Sequence, residues 1–226
     1  GGLFGPDQVI TSATNGANSV HATDLDGDGD ADVLSSSNWD GKIAWYENLG
    51  GGVFGSQQVI TTQTQSARTV FAADMDGDGD ADAVSASYLD GKIAMYENHS
   101  APPSTRRLGQ GMFGSQNVIG FGWEAQDVHV ADLDGDGDQD VLWAVDYKDT
   151  VKWIRNLGGG KFSNPSPITN LAVAPMSIYS ADLNGDGNLD VLSASSGDDT
   201  IAWYPNLGNG IFNHRQTIST SADGAN

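Results

Sequence analysis

Short apolar runs, each closed by Gly, Asn or Asp, follow one another along the whole chain. The first four are Ser19–Thr23, Asp32–Ser36, Lys42–Glu47 and Val53–Ile60. They are rich in Val, Ile, Tyr, Trp and Phe. Runs of this length with such punctuation predict strands joined by hairpins. No ten-residue stretch carries a helical period. Within IAWYEN, Ile43 and Trp45 face one way and Ala44 and Tyr46 the other. Both faces are apolar or small, so each sheet is expected to pack on both sides.

The run of four repeats. An acidic stretch, D-x-[DN]-G-D-G-[DN]-x-D, starts at Asp24, Asp74, Asp132 and Asp182. After it come IAWYEN, IAMYEN, VKWIRN and IAWYPN, and after those a Phe and a second apolar run. Self-similarity at about 50 residues, with four strands per repeat, predicts a β-propeller of four-stranded antiparallel blades. The blades fall at 19–60, 69–119, 127–168 and 177–218, within a single domain or propeller fragment over 1–226. Leu3–Ile10, in the segment 1–18, reads as an extra outer strand. Residues 99–111 read as an inserted loop carrying two prolines, Arg106 and Arg107. Asn98-His99-Ser100 is a formal glycosylation acceptor. Trp45, Met95, Trp153 and Trp203 share one repeat position and are expected in the core between blades, not in a ligand site.

The acidic stretches place side-chain oxygens at every second position with Gly in the sharp part of the loop. That arrangement suits a hard cation taking six to eight oxygens, and Ca²⁺ more than Mg²⁺, which demands near-ideal octahedral geometry. The expected side-chain ligands are Asp24, Asp26, Asp28 and Asp32; Asp74, Asp76, Asp78 and Asp82; Asp132, Asp134, Asp136 and Asp140; and Asp182, Asn184, Asp186 and Asp190. Asp30, Asp80, Asp138 and Asn188 are expected to offer a backbone carbonyl with the side chain outward. Five carboxylates crowded into nine residues repel by about 1–4 kcal/mol per close pair at surface dielectrics, a cost that a cation would offset. An EF-hand is excluded: its twelfth loop position needs Glu, and Ser35, Ser85, Trp143 and Ser193 stand there. Asn184 and Asn188 predict weaker binding at the fourth loop. About four Ca²⁺, one per repeat, are expected, each clamping one hairpin.

The chain has 30 acidic and 10 basic residues, a formal charge of −20. The four loops hold 18 of those acids. The excess negative charge is therefore metal-site chemistry, and it argues against nucleic acid and anionic membranes as partners. There is no cysteine, so the compartment is not marked by disulfides. No run approaches the ~20 apolar residues of a membrane span. The chain begins in mid-repeat, and a processed or truncated protein with a signal upstream is the expectation.

The four acidic loops and the following I-A-W-Y-x-N-L-G-x-G-x-F segments resemble the FG-GAP/VCBS repeat family, seen in integrin α-subunit propellers and some fungal lectins. Phe-Gly pairs at Phe4, Phe54 and Phe113 keep the pattern, while Phe162 and Phe212 depart from it. The resemblance implies a propeller with Ca²⁺ between a blade's innermost strand and the next, and extracellular binding rather than catalysis. Such propellers commonly have about seven blades. Four blades here leave three readings: a four-blade ring, a fragment of a larger ring, or self-association of two chains into a bigger one.

At the turns between second and third strands lie Trp39-Asp40, Tyr88-Leu89-Asp90, Asp146-Tyr147 and Gly197-Asp198-Asp199. An aromatic beside a carboxylate suits a sugar ring, with the CH face on the aromatic and hydroxyls on the carboxylate. With the resemblance, this makes Trp39, Asp40, Tyr88, Asp90, Asp146 and Tyr147 candidate carbohydrate-binding residues. Adhesion to a cell-surface protein is the second reading, and a non-catalytic propeller of a larger polysaccharide-active protein the third. Catalysis by this chain is not expected. His21 and His129 share a position with Phe71 and Tyr179, which points to packing. No H-E-x-x-H, G-x-S-x-G or P-loop is present.

Overall fold

The computed structural model describes residues 6–99 and 112–224. Most of the inserted loop, with Arg106 and Arg107, lies outside the described residues, as does the start of the segment 1–18. Among the described residues sixteen strands form four antiparallel sheets, each in simple sequential order. Blade 1 holds β1 (Ala17–Thr23), β2 (Asp32–Ser37), β3 (Lys42–Tyr46) and β4 (Gln58–Thr61). Blade 2 holds β5 (Ala67–Ala73), β6 (Asp82–Ser87), β7 (Lys92–Tyr96) and β8 (Asn117–Phe121). Blade 3 holds β9 (Ala125–Ala131), β10 (Asp140–Val145), β11 (Thr150–Ile154) and β12 (Ser166–Thr169). Blade 4 holds β13 (Pro175–Ala181), β14 (Asp190–Ser195), β15 (Thr200–Tyr204) and β16 (Gln216–Ser219). Asp146–Lys148 makes one 3-10 turn. This is the all-β, four-bladed propeller fold that the repeat predicts.

Two details refine the expected strands. The predicted fourth run, Val53–Ile60, is split. Phe54 makes an isolated bridge with Asn48, and the continuous strand starts only at Gln58. The same Asn–Phe bridge recurs at Asn98–Phe113, Asn156–Phe162 and Asn206–Phe212. Residues 6–10, the described part of the expected extra strand, are exposed and form no strand. An outermost strand takes its hydrogen bonds from the strand inside it, and no such neighbour stands beside them among the described residues.

The middle strands are buried on both faces because blades stack face to face. Strands β6 and β10 are buried at every position. Three apolar clusters fill the three interfaces between consecutive blades. Trp45, Met95 and Trp153 sit in them, as the shared repeat position predicts, whereas Trp203 is half-buried outside these clusters, on the last blade, which has no following blade to pack against it. The innermost strands β1, β5, β9 and β13 pack in succession, with no comparable packing from β13 back to β1. The outer faces of blades 1 and 4 are open. Val20 is 72% exposed, whereas its equivalents Val70, Val128 and Ile178 are 3–4% exposed.

Candidate functional site

Antiparallel order sends the acidic β1–β2 type loops to one end of every blade. The β2–β3 turns and the loops between blades go to the other. The molecule therefore has an acidic end and a turn end.

Each acidic loop is shaped by its first and last aspartates. In the first loop Asp24 accepts the backbone N–H of Gly27 at 2.8 Å and of Gly29 at 2.9 Å, one on each oxygen. Gly27 and Gly29 hold φ of +77° and +94°, a region that penalises any side chain. Asp32 is fully buried and accepts from Leu25 N–H at 2.9 Å and Asn48 N–H at 2.7 Å. It ties the loop to the end of β3. Asp82, Asp140 and Asp190 make the same pair of bonds in their repeats.

In each of the first three loops three carboxylates converge, the first aspartate always among them. Oxygens of Asp24, Asp26 and Asp32 lie within 4.8 Å of one another. So do those of Asp74, Asp76 and Asp78, and of Asp132, Asp134 and Asp136. The donor set is all oxygen, on a loop whose backbone is already bent, which fits a hard cation. Asp28 accepts the Asp30 N–H at 2.9 Å, and the Asp30 side chain is outside the convergent group. Asp80 and Asp138 likewise follow Asp78 and Asp136 by donating backbone N–H to them. Burial pushes the Asp82 and Asp140 carboxyls up to about 7, against the two N–H bonds each accepts. Burial raises Asp32 and Asp76 as well.

The fourth loop differs. Asn184 and Asn188 turn their amide N–H groups onto Asp186, both at 2.9 Å. The Asn188 backbone N–H, donating to Asp186 at 2.8 Å, contributes most, and with these amides it holds the Asp186 carboxyl below its ordinary value. Asp182 still accepts Gly185 and Gly187, so the loop keeps its shape while its charge is partly satisfied from within.

At the turn end, Trp39 is 76% and Tyr147 66% exposed. Their carboxylate neighbours are already engaged. Asp40 pairs with Lys42 at 3.0 Å, Asp90 with Lys92 at 2.8 Å, and Asp146 accepts from Gln126 at 3.2 Å. Tyr88 is half-buried beneath the Arg68 guanidinium, 4.6 Å from its ring centroid. The rim also includes Trp123, 64% exposed, which sequence reasoning passed over. Its loop is drawn onto the turn by Glu124 N–H donating to the Tyr88 carbonyl at 3.0 Å. A Cβ on Gly91 would meet the Gly122 and Trp123 backbone at 2.9 Å. The only sequence signal was a Trp in a stretch that breaks the repeat.

Along the axis run His21, Phe71, His129 and Tyr179, with successive ring centroids 4.3, 5.2 and 4.8 Å apart. They pack on one another, as their shared repeat position predicts. They line a cavity of about 340 Å³ together with Asp127.

A profile for the FG-GAP-like repeat matches residues 24–85, 76–143, 132–193 and 182–226. Among curated proteins, none matches the chain in sequence. Solved structures share the fold. A lectin of Agrocybe aegerita, described as recognising non-reducing terminal N-acetylglucosamine, is 21% identical with a TM-score of 0.62. The match covers 89% of this chain and 52% of the lectin. An auxiliary nutrient binding protein from Bacteroides ovatus is 14% identical, TM-score 0.55, covering 92% and 48%. BBS1N, solved in complex with ARL6DN, is 13% identical, TM-score 0.56, covering 95% and 59%. The chain thus spans about half the length of these structures. No helix among the described residues is long and apolar enough to cross a membrane.

Proposed function

The chain belongs to the FG-GAP-like repeat family, and on that premise we propose that it is a calcium-stabilised, extracellular binding module that holds carbohydrate at its turn end. The observation that carries the carbohydrate reading is the exposed aromatic rim of Trp39, Trp123 and Tyr147. Large aromatic faces left in water on a rigid scaffold are what the CH face of a sugar ring packs against. Hydroxyl partners come from the loop backbone more than from Asp40 and Asp90, whose charges are engaged by lysines. The lectin neighbour supports the reading as a precedent for this fold.

Calcium is the cation assigned to the acidic loops because every ligand is a hard oxygen and the loops are partly exposed. Bound there, it supplies positive charge that lets the crowded carboxylates remain ionised. Extracellular modules of this kind work at the high calcium levels found outside cells. Binding is preferred to catalysis on a further ground. The carboxyls raised to about 7, Asp82 and Asp140, are fully buried and spend both oxygens on backbone N–H groups. They face no cleft in which an acid could reach a substrate.

The test is a glycan array probed in calcium, followed by Trp39→Ala, Trp123→Ala and Tyr147→Ala. Loss of the signal in these variants, with the melting curve unchanged, supports the assignment. An array with no signal, beside capture of a protein ligand that free sugar does not displace, moves the reading to protein adhesion. The open faces of blades 1 and 4 are where a larger ring or a second copy would attach, and solution scattering reads that directly.

A further inference from the structure

The third acidic loop carries its own cation. The position just before the bridging Asn holds Glu47, Glu97, Arg155 and Pro205 in the four repeats. In the third, the Arg155 guanidinium closes on the loop. Its Nε contacts Asp134 Oδ2, and its Nη2 lies 3.3 Å from Asp136 Oδ2. Asp134 and Asp136 are two members of the convergent group there. The Asp134 side chain is wholly buried, so a negative charge left unpaired there would be costly.

A second departure of the same repeat supports the placement. Where the first two repeats have Gly55 and Gly114 after the Phe, the third has Ser163. The Ser163 hydroxyl accepts the Arg155 N–H at 3.1 Å, and Ser163 N–H donates to the Arg155 carbonyl at 2.9 Å. Two residues that break the repeat thus meet, and one fixes the backbone from which the other reaches the loop. The electrostatic contrast with the second repeat is direct. Glu97 stands at this position in the second repeat as a further negative group, whereas Arg155 sets a positive one directly against Asp134 and Asp136.

We propose that Arg155 is a built-in counter-ion that substitutes for the divalent ion in the third loop. The loop is then held without metal and takes calcium more weakly than the first two, whose repeats carry a glutamate, not an arginine, at this position. To bind there, Ca²⁺ must displace a guanidinium already paired with two carboxylates. The Arg155 side chain is 42% exposed and can swing to solvent. The four loops become a graded set: two that demand a cation, one that brings its own, and one partly neutralised by Asn184 and Asn188. This inference rests on the calcium reading above, but its metal-free half does not.

The experiment uses the full chain with Arg155→Glu, Arg155→Ala and a control, Arg155→Glu with Asp134→Asn. Calcium titration calorimetry of Arg155→Glu should show one site tightened by roughly tenfold or more. The Asp134→Asn addition should remove that gain, which assigns it to the third loop. Thermal melts should change sign with conditions. In EDTA, Arg155→Glu and Arg155→Ala melt below the wild type, because the third loop has lost its cation. In saturating calcium, Arg155→Glu melts at or above it. Equal destabilisation in EDTA and in calcium would reduce Arg155 to a packing residue and overturn the proposal, as would an unchanged titration. Should no calcium bind to any variant, the calcium reading fails, and the EDTA melts alone decide whether Arg155 neutralises the loop.

Discussion

The side-chain amide of Asn206 donates to the backbone carbonyl of Leu133, 73 residues earlier in the chain, at 2.6 Å. The same N–H₂ group also donates to the Leu189 carbonyl within its own blade, at 3.0 Å. Asn156 does this with Met75 and Gln139, and Asn98 with Leu25 and Ala81. One buried amide therefore links the acidic loop of each blade to the acidic loop of the blade before it. Asn48, in blade 1, reaches only Ala31 of its own loop and is half-buried.

This difference predicts unequal costs for one chemical change. Asn156→Ala leaves two carbonyls without their donor at a buried interface and should cost about 2–3 kcal/mol. Asn48→Ala loses only the partly exposed bond to the Ala31 carbonyl besides the Gly50 N–H bond to its Oδ1, whose Gly158 counterpart Asn156→Ala also loses, and should cost about 1 kcal/mol. Urea unfolding of the two variants measures both, and equal losses would remove the amide link as the cause.

Asp82 tests the anchoring of the loops separately from metal. It is fully buried and accepts from Met75 N–H at 2.9 Å and Asn98 N–H at 2.7 Å. Asp82→Ala leaves both donors unpaired and should cost about 3 kcal/mol. Asp82→Asn keeps one acceptor oxygen and should cost less. Because these bonds are internal to the protein, the order should hold in EDTA as well as in calcium, read by chemical denaturation in each.

Chelation probes the remaining part. A cation bound to the folded loops and not to the unfolded chain stabilises by mass action. EDTA should therefore lower the melting temperature, and added calcium should restore it in a concentration-dependent way. Differential scanning calorimetry after verified metal removal is the measurement, and an unchanged midpoint would count against a structural role for the ion.

The blades and the acidic loops were legible because their signals are local. Strand length, Gly-bounded turns and alternating carboxylates all lie within a few residues of one another. What the chain did not disclose was set by distance or by breaks in the repeat. Asp32 could be listed as a ligand from its spacing, but its bond to Asn48 N–H crosses from one hairpin to the next. The Asn links join residues 73 to 81 positions apart, and no periodic count exposes them. Trp123 lies in the loop between blades 2 and 3, where the repeat gives no expectation, and the fold alone brings it to the rim. The carboxylates of the turns looked available because Lys42 and Lys92, two residues on, fold back onto Asp40 and Asp90 only in the hairpin.

His129 makes acid stability a readout of the axis. Burial, with a smaller contribution from His21, holds its imidazole down to about 4 from an ordinary 6.5. The unfolded chain therefore binds the proton more readily than the folded one between those values. Stability rises with pH across that window and is lost as pH falls from about 6.5 through about 4. The expected loss from this one group is on the order of 2 kcal/mol. His21, also lowered by burial, acts in the same direction. The equivalent positions already hold Phe71 and Tyr179, so His129→Phe suits the site, though it gives up the 3.0 Å bond to Ser180 Oγ. The variant should be less stable than wild type near pH 7 and show a shallower fall toward pH 4. Urea midpoints across that range, in EDTA so that calcium release does not contribute, separate the two effects. Parallel curves for variant and wild type would show that acid acts on the carboxylates alone.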